Sequence, residues 1–78
     1  MLTATQCKMA RAALGLGVRD LADLAKVSPD TIARLERGED LRERTVDAIR
    51  SALEAAGVEF TNGDQPGVRL TKATKSQR

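Results

Sequence analysis

Four side chains carry the distinctive chemistry of this 78-residue sequence: Asp30, Thr31, Arg34 and Arg37. They lie between a Ser28-Pro29 pair and Gly38. Ser is a strong N-cap, and Pro loses nothing at the first helical position, so the pair opens a helix over residues 29–37 that Gly38 ends. At about 100° per residue, that helix puts Asp30, Arg34 and Arg37 on one side, with Ala33 nearby. The major groove of B-DNA admits one helix, and arginine can bond guanine O6 and N7 with two donors. Arg34 is therefore the expected base reader. Asp30 and Thr31 are candidates beside it, near the helix N-terminus that points at base edges. Asp30 could accept from cytosine N4, although its plainer role is to stabilise the first turn against the helix dipole. Ser28 caps the helix and is also a candidate phosphate contact. Arg37 is directed at DNA backbone rather than bases.

Phosphate contacts should flank such a helix. Backbone N–H groups at the start of the preceding helix, around residues 17–19, form an anion site. Arg19, Lys26, Arg42 and Arg44 are the cationic candidates, alongside Ser28 and Arg37. Each alone is an ordinary solvated charge, and the set gains meaning only on a common face.

Other chemistry is poorly provided for. There is no His, and the single Cys7 allows neither an internal disulfide nor a Cys-based zinc site. No nucleophile–base pair is evident, and Gly15-Leu16-Gly17 lacks the strand that a dinucleotide fingerprint follows. The expectation is a protein that is not an enzyme and holds no metal or cofactor. Thirteen Lys and Arg stand against eleven acids, for a net charge of +2, which permits a local basic surface without showing one. No apolar run approaches the roughly 20 residues of a membrane span, and no signal peptide is apparent. A cytoplasmic location is expected, with no membrane partner.

The elements that position these residues are legible. Thr3 and Gln6 have capping-box spacing. Cys7, Ala10 and Leu14 then mark one face of a first helix that ends at Gly15-Leu16-Gly17. A second helix runs from Val18 to Ala25, with Val18, Leu21, Ala22 and Ala25 on one face, Leu24 beside it and Asp20 suiting the dipole. Lys26-Val27 makes the turn into the reading helix. A polar loop anchored by Leu41 precedes a fourth helix, Glu43 to Ala56, striped by Val46, Ile49, Leu53 and Ala56 and stopped by Gly57. The period then changes. Val58 to Thr61 and Val68 to Leu70 alternate around a turn-rich 62–67, which predicts a β-hairpin. An isolated hairpin is marginal in water, so this one packs on the helices, pairs with a second subunit or is loose. Residues 71–78 are polar and basic, and a disordered tail is expected.

The reading helix also has an inward side, formed by Ile32, Leu35 and Glu36. A buried carboxylate needs a partner. Arg11, near the core stripe of the first helix, is the expected one. The pair would tie helix one to helix three.

The chain from about Leu2 to Leu70 resembles the XRE family, the Cro and phage-repressor type of helix-turn-helix. The resemblance is carried by Arg11, Leu21-Ala22, Ala25, Val27-Ser28, Thr31-Ile32, Leu35, Glu36-Arg37-Gly38 and the apolar fourth helix. The closing GVEF and VRL segments are similar to a subgroup of small bacterial and phage-like regulators that end in a hairpin. The resemblance implies a mainly α, four-helix phage-repressor-like helix-turn-helix domain (1–57) with a short C-terminal β-hairpin (58–70). It implies that Ala22 packs between the two helices, that Val27 plugs the turn and that Glu36 pairs with Arg11. It also implies a homodimer on double-stranded operator DNA. Two positions depart from the family pattern. Val18, preceded by Gly17, stands where Gln commonly contacts a phosphate. Lys26 stands where Gly is common in the turn.

The favoured expectation is a sequence-specific transcriptional regulator, with two reading helices about 34 Å apart on one face of the duplex. Val58, Phe60, Val68 and Leu70 are the candidate dimer surface. The alternative is a protein-binding module of the same fold, an antitoxin or anti-activator that holds a second regulatory protein. The departures at Val18 and Lys26, the mild charge and Asp30 lean that way.

Overall fold

A computed structural model describes residues 2–61 and 67–71. The elements follow in the order α1 (Ala4–Leu14), α2 (Val18–Ala25), α3 (Pro29–Glu36), α4 (Glu43–Ala56), β1 (Val58–Thr61) and β2 (Gly67–Leu70). This is the mainly α arrangement of four helices and a C-terminal hairpin that the sequence implies. The expected turn at 62–66 and most of the expected tail, 72–78, lie outside the described residues. Two boundaries differ by one residue. Helix α3 stops at Glu36, because Arg37 has cap geometry at φ −86° and ψ −3°. Strand β2 starts at Gly67, which pairs with Thr61.

The core gathers one stripe from every helix: Cys7 and Ala10, Leu21, Ala22 and Ala25, Ile32 and Leu35, then Val46, Ile49 and Leu53. Leu2 and Val58 close it at the two ends. Helix α2 packs on both α3 and α4, and Ala22 is fully buried. A larger side chain at Ala22 would force α3 away from its support. Leu21, Ile32, Ile49 and Leu53 are also fully buried. Each such burial contributes on the order of 1.5–3 kcal/mol.

Helices α1, α2 and α3 end in the same way. The left-handed residue donates to a carbonyl three residues back, and its successor donates to one five residues back. The pairs are Gly15 with Ala12 and Leu16 with Arg11, Lys26 with Asp23 and Val27 with Ala22, and Gly38 with Leu35 and Glu39 with Arg34. This is the Schellman closure, which satisfies otherwise orphaned carbonyls. Gly supplies the left-handed residue at two ends. At the third, Lys26 adopts φ 61° and ψ 44°, the one positive φ among described non-glycine residues. Leu16 and Val27, the successors at the first two ends, pack against the core.

The hairpin is antiparallel, with Val58 opposite Leu70 and Phe60 opposite Val68. It packs on the helices through β2 against α1 and β1 against α4. Gln6 fastens it. This side chain is 1% exposed. Its Nε2 donates to the carbonyls of Thr61 at 3.1 Å and Gly67 at 3.3 Å. Its Oε1 accepts from the Thr3 N–H at 3.1 Å, while the Gln6 N–H donates to Thr3 Oγ1. Capping-box spacing foretells the second pair of bonds and not the first. The Thr71 N–H donates to the Gly57 carbonyl at 2.8 Å, so the chain is still held one residue beyond β2. No helix among the described residues is long and apolar enough to cross a membrane.

Candidate nucleic-acid interface

Helix α3 is fixed from behind. Ile32 is fully buried and Leu35 is 5% exposed. Glu36, the third inward residue, accepts from Arg11 Nε at 2.9 Å and Nη2 at 3.0 Å, while Arg11 Nη1 donates to the Leu16 carbonyl at 3.2 Å. The Cys7 thiol also donates to Glu36 Oε2 at 3.3 Å. Burial alone would push the Glu36 carboxyl up, but the hydrogen bonds from Arg11 and Cys7 and the Arg11 charge hold it below the ordinary carboxylate value. The Cys7 thiol is pushed up to about 12, first by burial and then by the bond and charge of Glu36. Cys7 is thus a core donor, a role its place in an apolar stripe does not reveal.

The start of α3 is equally defined. Ser28 Oγ accepts from the Thr31 N–H at 3.1 Å and lies 2.9 Å from Thr31 Oγ1. Thr31 is half-buried beside this cap, and Asp30 is exposed in the first turn. Helix α2 starts without a side-chain cap from Gly17, but the Gly17 N–H donates to the Asp20 carboxylate at 2.9 Å. Asp20 therefore acts by a direct bond as well as through the dipole, and it occupies one of the N–H groups expected to meet an anion.

The outward face carries the arginines. Arg34 and Arg37 are exposed, and both bond Glu39: Arg34 Nε to Oε1 at 3.0 Å, and Arg37 Nη2 to Oε2 at 2.8 Å. Glu39 reads from the sequence as part of a polar loop, and no simple helical spacing connects it with Arg34. Arg34 also lines a cleft with Thr31, Asp40, Leu41, Arg42 and Thr45. The cleft brings two of the base-reading candidates, Thr31 and Arg34, next to one phosphate candidate, Arg42. Arg42 is the N-cap residue of α4 and makes no side-chain cap bond there. Arg19, Lys26, Arg42 and Arg44 are exposed and make no ion pair among the described residues. Arg19 and Lys26 belong to α2 and its turn, away from the cleft lining.

The hairpin residues divide. Val58 is 2% exposed and is taken up by the chain's own core, which removes it from any surface open to a partner. Phe60 and Val68 are partly buried against that core, and Leu70 is 50% exposed. Arg50 lies over the Phe60 ring at 5.5 Å and bonds Glu54, a cation–π contact that the sequence spacing does not disclose. The apolar surface left at this end is Leu70 with the edges of Phe60 and Val68. No group of His, Cys, Asp and Glu side chains suited to a metal ion occurs among the described residues.

Two short helices joined at Lys26-Val27, the second buried behind and arginine-bearing in front, define the class: a DNA-binding helix-turn-helix. Residues 4–61 match the helix-turn-helix domain family, and the chain belongs to it. No curated protein matches the chain.

Proposed function

We propose that the protein is a sequence-specific transcriptional regulator of the XRE type that acts as a homodimer on operator DNA. Helix α3 enters the major groove. Arg34 reads a base edge with Asp30 and Thr31 beside it, and Arg19, Lys26, Ser28, Arg37, Arg42 and Arg44 meet phosphates. The observation that carries this reading is the division of α3. Its back is locked by Ile32, Leu35 and the Arg11–Glu36 pair, while its front presents Arg34 to solvent. Beyond the bonds of Arg34 and Arg37 to Glu39, that front is exposed, and it suits a groove that takes one helix. Leu70 and the edges of Phe60 and Val68 supply the dimer contact, and the two subunits read half-sites about one helical turn apart. The role requires no cofactor and places the protein with DNA in a bacterial cytoplasm.

Selection from a random duplex pool tests it. The wild type should enrich a two-fold symmetric site, and Arg34→Ala should abolish that enrichment while leaving the fold unchanged. Enrichment of the same site by Arg34→Ala would overturn the assignment of Arg34.

A second reading, a module that holds a partner protein, is favoured by Leu24 and Leu70, which are 51% and 50% exposed. Salt separates the two. Phosphate-mediated binding falls steeply between 50 and 200 mM salt on the general scale for DNA-binding proteins. An apolar protein interface does not.

A further inference from the structure

The three Schellman ends differ in one respect that bears on specificity. The residue after the left-handed position is apolar and core-packed at α1 and α2, as Leu16 and Val27. At α3 it is Glu39, exposed and turned toward the reading face. Its backbone is tied to the helix, since its N–H donates to the Arg34 carbonyl at 3.0 Å. Its side chain then returns to the same residue, taking Arg34 Nε on Oε1 at 3.0 Å. The second oxygen takes Arg37 through Nε at 3.2 Å and Nη2 at 2.8 Å. One carboxylate thus holds both arginines of the outward face, one on each oxygen.

A guanidinium offers five N–H donors in a fixed fork. With Nε engaged, the edge of Arg34 that combines Nε with a neighbouring Nη is closed. The remaining pair, Nη1 and Nη2, can meet guanine O6 and N7 end-on. Arg37, with two donors on Oε2, is withdrawn from competing for the same base. The charge of Glu39 also opposes collapse of Arg34 onto phosphate. Hydrogen bonds from Arg37 and Arg34 hold the Glu39 carboxyl below the ordinary value, so it is ionised at neutral pH.

We propose that Glu39 is the positioning residue for base recognition: fixed by the helix end, it presents Arg34 end-on to guanine and restrains Arg37. The inference rests on the DNA-reading role of α3. Glu39 touches no base itself and acts through Arg34.

The test is a duplex selection run in parallel on the wild type, Arg34→Ala, Glu39→Ala and Glu39→Gln, with affinities then measured on the selected site and on guanine-substituted versions. The wild type should prefer guanine at one position per half-site, and Arg34→Ala should lose that preference. Glu39→Ala should cut it by roughly tenfold, within the range for one bidentate base contact. The same variant should bind unrelated duplex more tightly, with a steeper salt dependence, because Arg34 becomes free to join Arg37 on phosphate. Glu39→Gln, which keeps an acceptor oxygen, should retain part of the preference. A merely structural Glu39 would lower the melting temperature and leave the base preference intact. That outcome, or equal guanine preference in Glu39→Ala and wild type, overturns the proposal while DNA recognition by Arg34 stands. If the wild type enriches no duplex, or Arg34→Ala changes no base position, the underlying reading falls and the role of Glu39 falls with it.

Discussion

Arg11 and Glu36 meet across the back of α3 through two hydrogen bonds, 2.9 and 3.0 Å long, between residues 25 apart in the chain. The Glu36 side chain is 9% exposed and that of Arg11 24%. A third guanidinium nitrogen holds the Leu16 carbonyl, so the same side chain also pins the segment between α1 and α2. The pair sets the seat of α3 while leaving its outward face untouched.

Arg11→Ala should therefore destabilise the fold. Breaking a fully buried pair costs about 3–5 kcal/mol, and partial exposure of Arg11 brings the expected loss to roughly 2–3 kcal/mol. In a domain of this size the melting temperature should fall by on the order of 10 °C. A melting curve superimposable on the wild type would refute the structural role of the pair. The same carboxyl gives an acid limb to stability. Its folded-state value is depressed below the ordinary 4.5, so its contribution is complete above that pH and is lost as pH falls through the folded value. Arg11→Ala should flatten this limb of a stability–pH curve.

Lys26→Gly should have opposite effects on stability and on binding. Lys26 holds a left-handed conformation at φ 61°, which strains an L-residue and not glycine. Relief of that strain, less the added freedom of the unfolded chain, should stabilise the domain by about 0.5–1 kcal/mol. Loss of the cation should lower the salt dependence of duplex binding by roughly one phosphate contact. Urea unfolding measures the first effect and a salt titration the second. A destabilised Lys26→Gly would show that the lysine side chain stabilises the turn.

Cys7 should be inert in the native protein. Its thiol is fully buried, bonded to Glu36 and pushed up to about 12, and the thiolate is the reactive form. Alkylation at pH 8 should proceed at the rate of unfolding and accelerate with denaturant. Labelling at the rate of a free thiol would contradict the buried bond. Because the folded value lies above the ordinary 9.0, the thiol's contribution to stability is complete below that pH and declines as pH rises above it.

The helices were legible wherever local chemistry and periodicity agreed. Ser28-Pro29 opens α3, and the stripe of Val46, Ile49 and Leu53 with Gly57 delimits α4 at the residues seen in the structure. An acid on the apolar side of α3 pointed to Arg11. What stayed hidden depends on contacts between segments, which spacing does not encode. Gln6 reads as a cap partner because Thr3 is three residues away, while its carbonyl partners belong to the far hairpin. Glu39 lies outside α3, so helical periodicity assigns it no face; a Schellman end returns it to Arg34. Alternation groups Val58 with Phe60, Val68 and Leu70, because it shows which residues share a face of a hairpin and not how deeply each is buried.

The amide of Gln6 also makes the helical core depend on the hairpin. Its two carbonyl partners lie 55 and 61 residues downstream. While a ribosome still holds those residues, closing the core over Gln6 would strand a polar amide, at a cost of about 1–3 kcal/mol. A chain without its hairpin would bury the same helix core with that amide unpaired. The hairpin supplies both acceptors and removes that cost. The capping-box partner of the first helix thus also joins the start of the described chain to its hairpin.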